Sequence, residues 1–337
     1  MSNTSKTVLY IAEKPSLGRT IAQALGGGRA AKGLISGQGW VVTWCVGHLY
    51  EQAMPEDYDQ NFKQWRREHL PIIPEHWQLK PKSEHRSQIA LIRKLLREAR
   101  AVVHCGDPDR EGQLLVDEVL QQLRWRGPTE RAWLPDLTDA ALRRALSQRK
   151  HNHVYQGLGA AASGRAHADW LVGMNLSRAI TLANRRAGGD ALISIGRVQT
   201  PTLKLIVDRD LLIENFVPQD YFPLHADFDQ RQSDQASSSY TAIWQVPDGL
   251  ADDQGRCLQR EQAEQVAAKI LNQPGEIVSI KQQAKREHAP LPFSLNELQQ
   301  AASRRLGISA QSTLDIAQAL YERHKLITYP RTDCRYL

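Results

Sequence analysis

The sequence predicts an N-terminal α/β domain, a parallel sheet with helices on both faces. Helical, β-rich and again helical segments follow it. Three observations carry this reading. Short β-branched runs alternate with helix-length amphipathic segments over the first 150 residues, the pattern of a sheet covered on both sides. Strand signals then stop, and the next stretch reads as long helices. At 337 residues the chain exceeds the ~150 residues typical of one domain, so it is multidomain. The expected boundaries are 1–150, 151–215, 216–280 and 281–337.

Taken in order, Thr7–Ala12 (TVLYIA) is a short apolar strand. Pro15-Ser16 starts a helix that Gly26-Gly27-Gly28 ends. Trp40–Val46 is a second strand. Ser83–Arg100 is an amphipathic helix with Ile89, Ile92, Leu95 and Leu96 on one face. Ala101–His104 is a third strand, Glu111–Leu123 a helix, and Ala132–Leu137 a further, weaker strand signal. Ala160–Asn184 reads as one continuous helix broken by Gly188-Gly189, and Val198–Asp210 as another. Residues 216–280 read as short strands with turns, with Asp229–Ser239 a polar hairpin loop or linker. Ser294–Leu306 and Ser309–His324 are helices joined at Gly307, and Leu326–Tyr329 is a final strand.

Composition excludes several classes. Charged residues are 24% and hydrophobic residues 41%, ordinary for a globular protein and too apolar for a disordered one. No stretch approaches the ~18 apolar residues of a membrane-spanning helix, and the polar start Met1–Lys6 does not resemble a secretory signal. Four dispersed cysteines without a CxxC pair argue against a disulfide framework or zinc ribbon, and for a reducing, cytoplasmic setting. The net charge of +6, carried mainly by arginine, is compatible with nucleic acid without requiring it.

The sharpest motif is Asp107-Pro108-Asp109-Arg110-Glu111-Gly112, at a strand-to-helix junction. Ligands of parallel α/β sheets bind beyond the carboxyl ends of the strands. Asp107, Asp109 and Glu111 repel one another unless a hard divalent cation such as Mg2+ shares them. The plainer alternative is an acidic helix N-terminus favoured by the helix dipole. Glu13-Lys14-Pro15-Ser16 ends the first strand on the same sheet edge. Glu13 can join the acidic cluster, and Lys14 can hold a phosphate or protonate a leaving oxygen. A simple Glu-Lys pair before a proline-started helix remains the alternative. On the long helix, Trp170, Arg178 and Arg185 fall within about 80° of one another, an aromatic and basic stripe suited to single-stranded DNA or simply an exposed basic face.

Together these motifs resemble a family. Glu13-Lys14-Pro15-Ser16 with DPDREGQ at 107–113 is similar to the Toprim domain of type IA DNA topoisomerases. Ser194-Ile195-Gly196-Arg197-Val198-Gln199-Thr200-Pro201 is similar to that family's GRVQTP signature. Pro290–Phe293 with LGISAQSTLDIAQALYE (306–322) resembles its helical tyrosine domain, and Leu326–Asp333 its active-site tyrosine motif. The Thr328-Tyr329-Pro330 form resembles the bacterial topoisomerase III branch. The resemblance implies a Toprim domain, a helical arch segment, a β-rich arch segment and a helical domain bearing the tyrosine.

What the resemblance implies chemically is specific. Tyr329 attacks a phosphodiester of single-stranded DNA, forms a 5′-phosphotyrosine bond, and allows strand passage and religation without ATP. Lys14 assists the leaving oxygen, Glu13 the resealing proton transfer, and Arg331 sits on the phosphate. Glu13, Asp107, Asp109 and Glu111 hold Mg2+. Trp65, Arg165, Asp169, Trp170, Arg178, Arg185, Ser194, Ile195, Gly196, Arg197, Val198, Gln199 and Arg331 contact DNA. The implied partners are single-stranded, supercoiled or catenated DNA, with no membrane, a monomeric state and a cytoplasmic, nucleoid-associated location. The family continues for hundreds of residues beyond its tyrosine, whereas this sequence stops eight residues after Tyr329. The expectation is therefore an N-terminal half that binds single strands and relaxes plasmid little or not at all. The alternatives are a non-catalytic single-strand-binding fragment and another Toprim enzyme, a nuclease or primase.

Overall fold

The computed structural model describes residues 7–230 and 238–336. They form two compact units, one within residues 7–201 with 290–336 and one within Thr202–Ala289. The initial Met1–Lys6 and residues 231–237 of the predicted polar hairpin loop lie outside the described residues.

The first unit is built on a seven-stranded sheet. Its strands are β1 (Thr7–Ala12), β2 (Arg29–Ala31), β3 (Leu34–Gly37), β4 (Trp40–Trp44), β7 (Ala99–Cys105), β8 (Thr129–Arg131) and β9 (Lys150–His151). Two more, β5 (Tyr50–Gln52) and β6 (Leu79–Pro81), pair apart from it. The order β2-β3-β4-β1-β7-β8-β9 places β1 at the centre. Strands β4, β1, β7 and β8 are parallel, while β2, β3 and β9 add antiparallel edges. The sheet is thus mixed, with the expected parallel core.

The alternation of β1 explains its position. Tyr10 and Ala12 face a core shared with Leu17 and Ile21 of α1 (Pro15–Ala24) and Leu142 of α5 (Asp139–Ser147). Leu9 and Ile11 face the other core, with Ile89 and Ile92 of α3 (Arg86–Glu98) and Leu115 and Val119 of α4 (Arg110–Gln122). A strand apolar on both sides is what a doubly covered sheet requires. The four-residue α2 (Pro55–Tyr58) lies in the excursion between β5 and β6.

The 31-residue α6 (Gln156–Arg186) follows the sheet, and α7 (Gln199–Glu214) begins after it. Residues Leu295–Leu306 form α9, capped by Ser294 and Glu297 holding each other's backbone amides. Gly307 ends it at φ 67°, a left-handed turn that favours glycine. Then α10 (Ala310–Ala319) widens into a π-turn over Leu320–His324. In the second unit, β10 (His225–Gln230) and β11 (Ser238–Ile243) form an antiparallel pair, and α8 (Arg260–Ile270) follows.

Three predicted elements differ. Residues 132–137 do not continue the sheet: β8 ends at Arg131, Pro135 has no amide to donate, and the carbonyls of Leu134 and Pro135 bond Tyr321 and Tyr329. Leu326–Tyr329 is likewise not a strand; the Tyr329 amide docks on Pro135 instead, and Pro330 follows. The β-rich reading of 216–280 missed α8, whose alanine-rich sequence has too few large apolar residues to show a helical stripe.

Candidate active site

The carboxyl ends of β1 and β7 are neighbours, so the sheet delivers Glu13-Lys14 and Asp107-Pro108-Asp109 to one edge. The β7–α4 loop folds tightly on itself. A Cβ on Gly106 would lie 2.1 Å from the Gly112 carbonyl oxygen, and one on Gly112 would lie 2.5 Å from that of Asp107. Only glycine fits at both positions. Asp109 caps α4, its Oδ1 accepting from the Gly112 amide at 2.7 Å.

A buried guanidinium braces this loop from below. Arg131, 1% exposed, donates to Gln113 Oε1 at 2.9 Å and to the carbonyls of Gly106 (2.9 Å), Asp107 (2.8 Å) and Ala132 (2.7 Å). His104 beside it is held neutral, its proton affinity lowered by burial and by the Arg131 charge.

Above this support lies a cleft of about 520 Å³ lined by Glu13, Lys14, Asp107, Asp109, Glu111, Arg165, Tyr329 and Arg331. The structure therefore brings together all the predicted catalytic and acidic residues. Tyr329 is 4% exposed and donates its hydroxyl to Asp109 Oδ2 at 2.5 Å. Its ring packs edge-on against Tyr321 at 5.5 Å. Burial, the Asp107 charge and the bond to Asp109 raise its proton affinity above that of an ordinary phenol. Tyr329 is thus neutral in the DNA-free protein and needs positive charge to become a nucleophile.

Burial and the neighbouring Asp107 push Glu13 up to about 7, although its Oε2 accepts from the Asp107 amide at 3.0 Å. Burial also raises Asp107, against the pull of Lys14. The Lys14 ammonium lies 3.1 Å from Asp107 Oδ2 and 2.6 Å from Glu322 Oε1. Burial opposes its charge, but those two carboxylates outweigh it and raise its proton affinity.

The three acids of the motif do not converge. Asp107 pairs with Lys14, Asp109 with Tyr329, and Glu111 with Arg165 at 3.2 Å. Among the described residues no three His, Cys, Asp or Glu side chains stand where they could hold one ion. Two features nonetheless fit a cation. Asp107 Oδ1 is buried without a hydrogen-bond partner, and burial with the Asp107 charge raises the proton affinity of Glu13, a cost to its ionised form that a cation would relieve.

The predicted DNA residues divide into three groups. Arg165, Asp169 and Arg197 form a charge ladder leading out of the cleft: Glu111–Arg165, Arg165–Asp169 at 3.7 Å and Asp169–Arg197 at 2.8 Å. The ladder reaches the Ser194–Gln199 segment, which Ser177 pins to α6 through the Ile195 amide (2.8 Å). Gln199 donates to Ser194 at 3.0 Å; Gly196 bonds Thr200, and Val198 is 62% exposed. Trp65 takes the Arg178 guanidinium over its ring at 5.1 Å, and both line a second cavity of about 330 Å³ with Ser194 and Ile195.

The expected exposed stripe on α6 is corrected. Trp170 is 6% exposed, donates its indole N–H to Ala53 O at 2.9 Å and packs edge-on against Tyr58 and Trp77. It anchors α6 and offers no open stacking face. Arg178 is also buried, held by Phe62 O at 2.7 Å, and only Arg185 of the three is exposed.

Sequence reasoning missed Arg131, Glu322 and Tyr321. Arg131 sits beside an apolar run, where a charged residue signals a buried partner set. Tyr321 and Glu322 end the LGISAQSTLDIAQALYE stretch, but nothing in the sequence marks the π-turn that turns Tyr321 to the Leu134 carbonyl and Glu322 to Lys14.

The fold and this cleft define a Toprim-containing protein whose tyrosine faces carboxylates and a lysine. Family comparison agrees: a Toprim domain model matches residues 8–136, and a DNA topoisomerase model matches residues 153–337. The chain belongs to the DNA topoisomerase family. It is 47% identical to DNA topoisomerase 3 of Haemophilus influenzae and 48% to that of Salmonella typhimurium, covering 98% of this chain and 53% and 52% of theirs. DNA topoisomerase 3 of Bacillus licheniformis is 37% identical over 99% of this chain and 44% of its own. The chain thus spans about half the length of the curated relatives it matches. Full-length topoisomerase I from Thermotoga maritima shares the fold, with a TM-score of 0.63 at 23% identity over 97% of this chain and 49% of that one.

Proposed function

We propose that this chain carries the strand-cleaving site of a type IA DNA topoisomerase of the topoisomerase III kind. The observation that carries the reading is Tyr329, its hydroxyl 2.5 Å from Asp109 in a cleft shared with Glu13, Lys14, Asp107 and Arg331. Asp109 takes the phenolic proton as the Tyr329 oxygen attacks phosphorus. The 3′ oxygen leaves, and Lys14 or protonated Glu13 supplies its proton. Arg331 neutralises charge on the phosphate. The 5′-phosphotyrosine keeps the diester's energy, so resealing runs the same steps backward with no nucleotide cofactor.

Mg2+ fits beside Asp107 Oδ1 and Glu13, with Asp109 and Glu111 close by; bound there it would supply positive charge near the phosphate. The DNA path runs from the cleft along Arg165, Asp169 and Arg197 to Ser194–Gln199, with Trp65, held by the buried Arg178, and the exposed Arg185 beyond. The substrate is single-stranded DNA, exposed in supercoiled or catenated molecules, and the protein acts as a cytoplasmic, nucleoid-associated monomer. A labelled single-stranded oligonucleotide incubated with the protein and Mg2+ tests this. The expected result is cleavage leaving a 3′-hydroxyl end, absent in Tyr329→Phe; equal cleavage of duplex and single strand would overturn it.

A further inference from the structure

We propose that Glu322 is a displaceable counter-ion: it holds Lys14 in the DNA-free protein and yields it to a backbone phosphate of the incoming strand. The inference rests on the reading of the cleft as a phosphodiester site, and it assigns a role to the residue that ends the 306–322 stretch, for which the motif itself implies none.

The geometry is specific. Glu322 Oε1 lies 2.6 Å from Lys14 Nζ, shorter than the 3.1 Å from Lys14 to Asp107. Its second oxygen accepts from Ser16 Oγ at 3.1 Å, and Gln318 donates to Oε1. A carboxylate with that set of donors presents its oxygens much as a phosphate would. The π-turn over Leu320–His324 aims it there. Such turns recur at functional sites because they redirect side chains that a regular helix would place elsewhere. The same turn puts the Tyr321 hydroxyl on Leu134 O at 2.8 Å, which anchors the turn independently of Glu322.

Charge argues that the contact is temporary. In the DNA-free cleft the single Lys14 ammonium serves two carboxylates, Asp107 and Glu322. Asp107 is 5% exposed and held within the braced β7–α4 loop, whereas Glu322 is 19% exposed and comes from the tyrosine-bearing segment. A phosphate entering beside Tyr329 meets Lys14 already paired, and Glu322 is the partner it can displace. Glu322 is thus a positioning residue that keeps the ammonium aimed at the cleft before DNA arrives and competes with the phosphate afterwards.

The test is a double-mutant comparison in single-strand binding, using the full chain and a short oligothymidylate at low salt. Glu322→Gln keeps the size and the Ser16 contact while removing the charge. It should tighten binding about 3- to 5-fold, with an unchanged melting temperature within about 3 °C. In a Lys14→Ala background the same substitution should change affinity less than 2-fold, because its effect passes through the ammonium. Lys14→Ala alone should weaken binding. If Lys14→Ala weakens binding but Glu322→Gln does not tighten it, or tightens it equally without Lys14, the counter-ion role is wrong and the phosphate site stands. If neither substitution changes affinity, the reading of the cleft as a phosphate site falls, and this inference with it.

Discussion

Replacing Glu13 by Gln tests the electrostatics of the cleft most sharply. Burial and Asp107 raise Glu13 to about 7, against an ordinary 4.5, so the folded protein binds this proton more tightly than the unfolded chain does. The stability this contributes is complete below pH 4.5 and is lost as the pH rises through 7. The difference between those values corresponds to roughly 3 kcal/mol at pH 8, shared with the adjacent Asp107. Gln imitates the protonated carboxyl and can still accept from the Asp107 amide. In EDTA, Glu13→Gln should therefore unfold at higher urea than wild type at pH 8, by roughly 3 kcal/mol, and match it at pH 5 within about 1 kcal/mol. Adding Mg2+ at pH 8 should stabilise wild type and leave the variant nearly unmoved. Parallel pH profiles for the two proteins would refute the reasoning, since Glu13 would then titrate alike in folded and unfolded states.

The remaining predictions concern separate parts of the site. Asp107→Asn combined with Asp109→Asn should abolish the Mg2+ heat seen by titration calorimetry, and an unchanged heat would place any metal elsewhere. Trp170→Ala should cost about 3–5 kcal/mol in urea unfolding, as a buried aromatic does, whereas a loss confined to DNA affinity would restore Trp170 as a stacking platform. Binding of single strands should weaken steeply with salt, and Arg197→Ala should flatten that slope by about one ion; an unaltered slope would remove Arg197 from the DNA path.

The chemistry was more legible in the sequence than its arrangement. The Glu13-Lys14 and Asp107–Gly112 motifs were readable because each ends an apolar strand, and the parallel pairing of β1 and β7 turns that shared position into proximity. Tyr329 was legible only through its surrounding motif, since a tyrosine in an apolar tetrapeptide is ordinarily a packed residue. What was not legible depended on tertiary partners. The helical spacing of Trp170 and Arg178 was right, but which way that face turns is decided by Ala53 and Phe62, over a hundred residues earlier. The acid triplet suggested a shared ion, whereas Lys14, Tyr329 and Arg165 each engage one acid. The π-turn that presents Tyr321 and Glu322 has no local signal, because its sequence continues the helical pattern of α10.

The most direct test of the central claim is the chemical identity of the bond to DNA. The protein is incubated with Mg2+ and a single-stranded oligonucleotide, denatured, digested and analysed by mass spectrometry. The account predicts a nucleotide joined through its 5′ phosphate to the peptide that contains Tyr329, with no such species from Tyr329→Phe. An adduct on another residue, or free 5′-phosphate ends with no adduct at all, would contradict it, the second outcome pointing to hydrolysis by the Toprim carboxylates instead of transfer to the tyrosine.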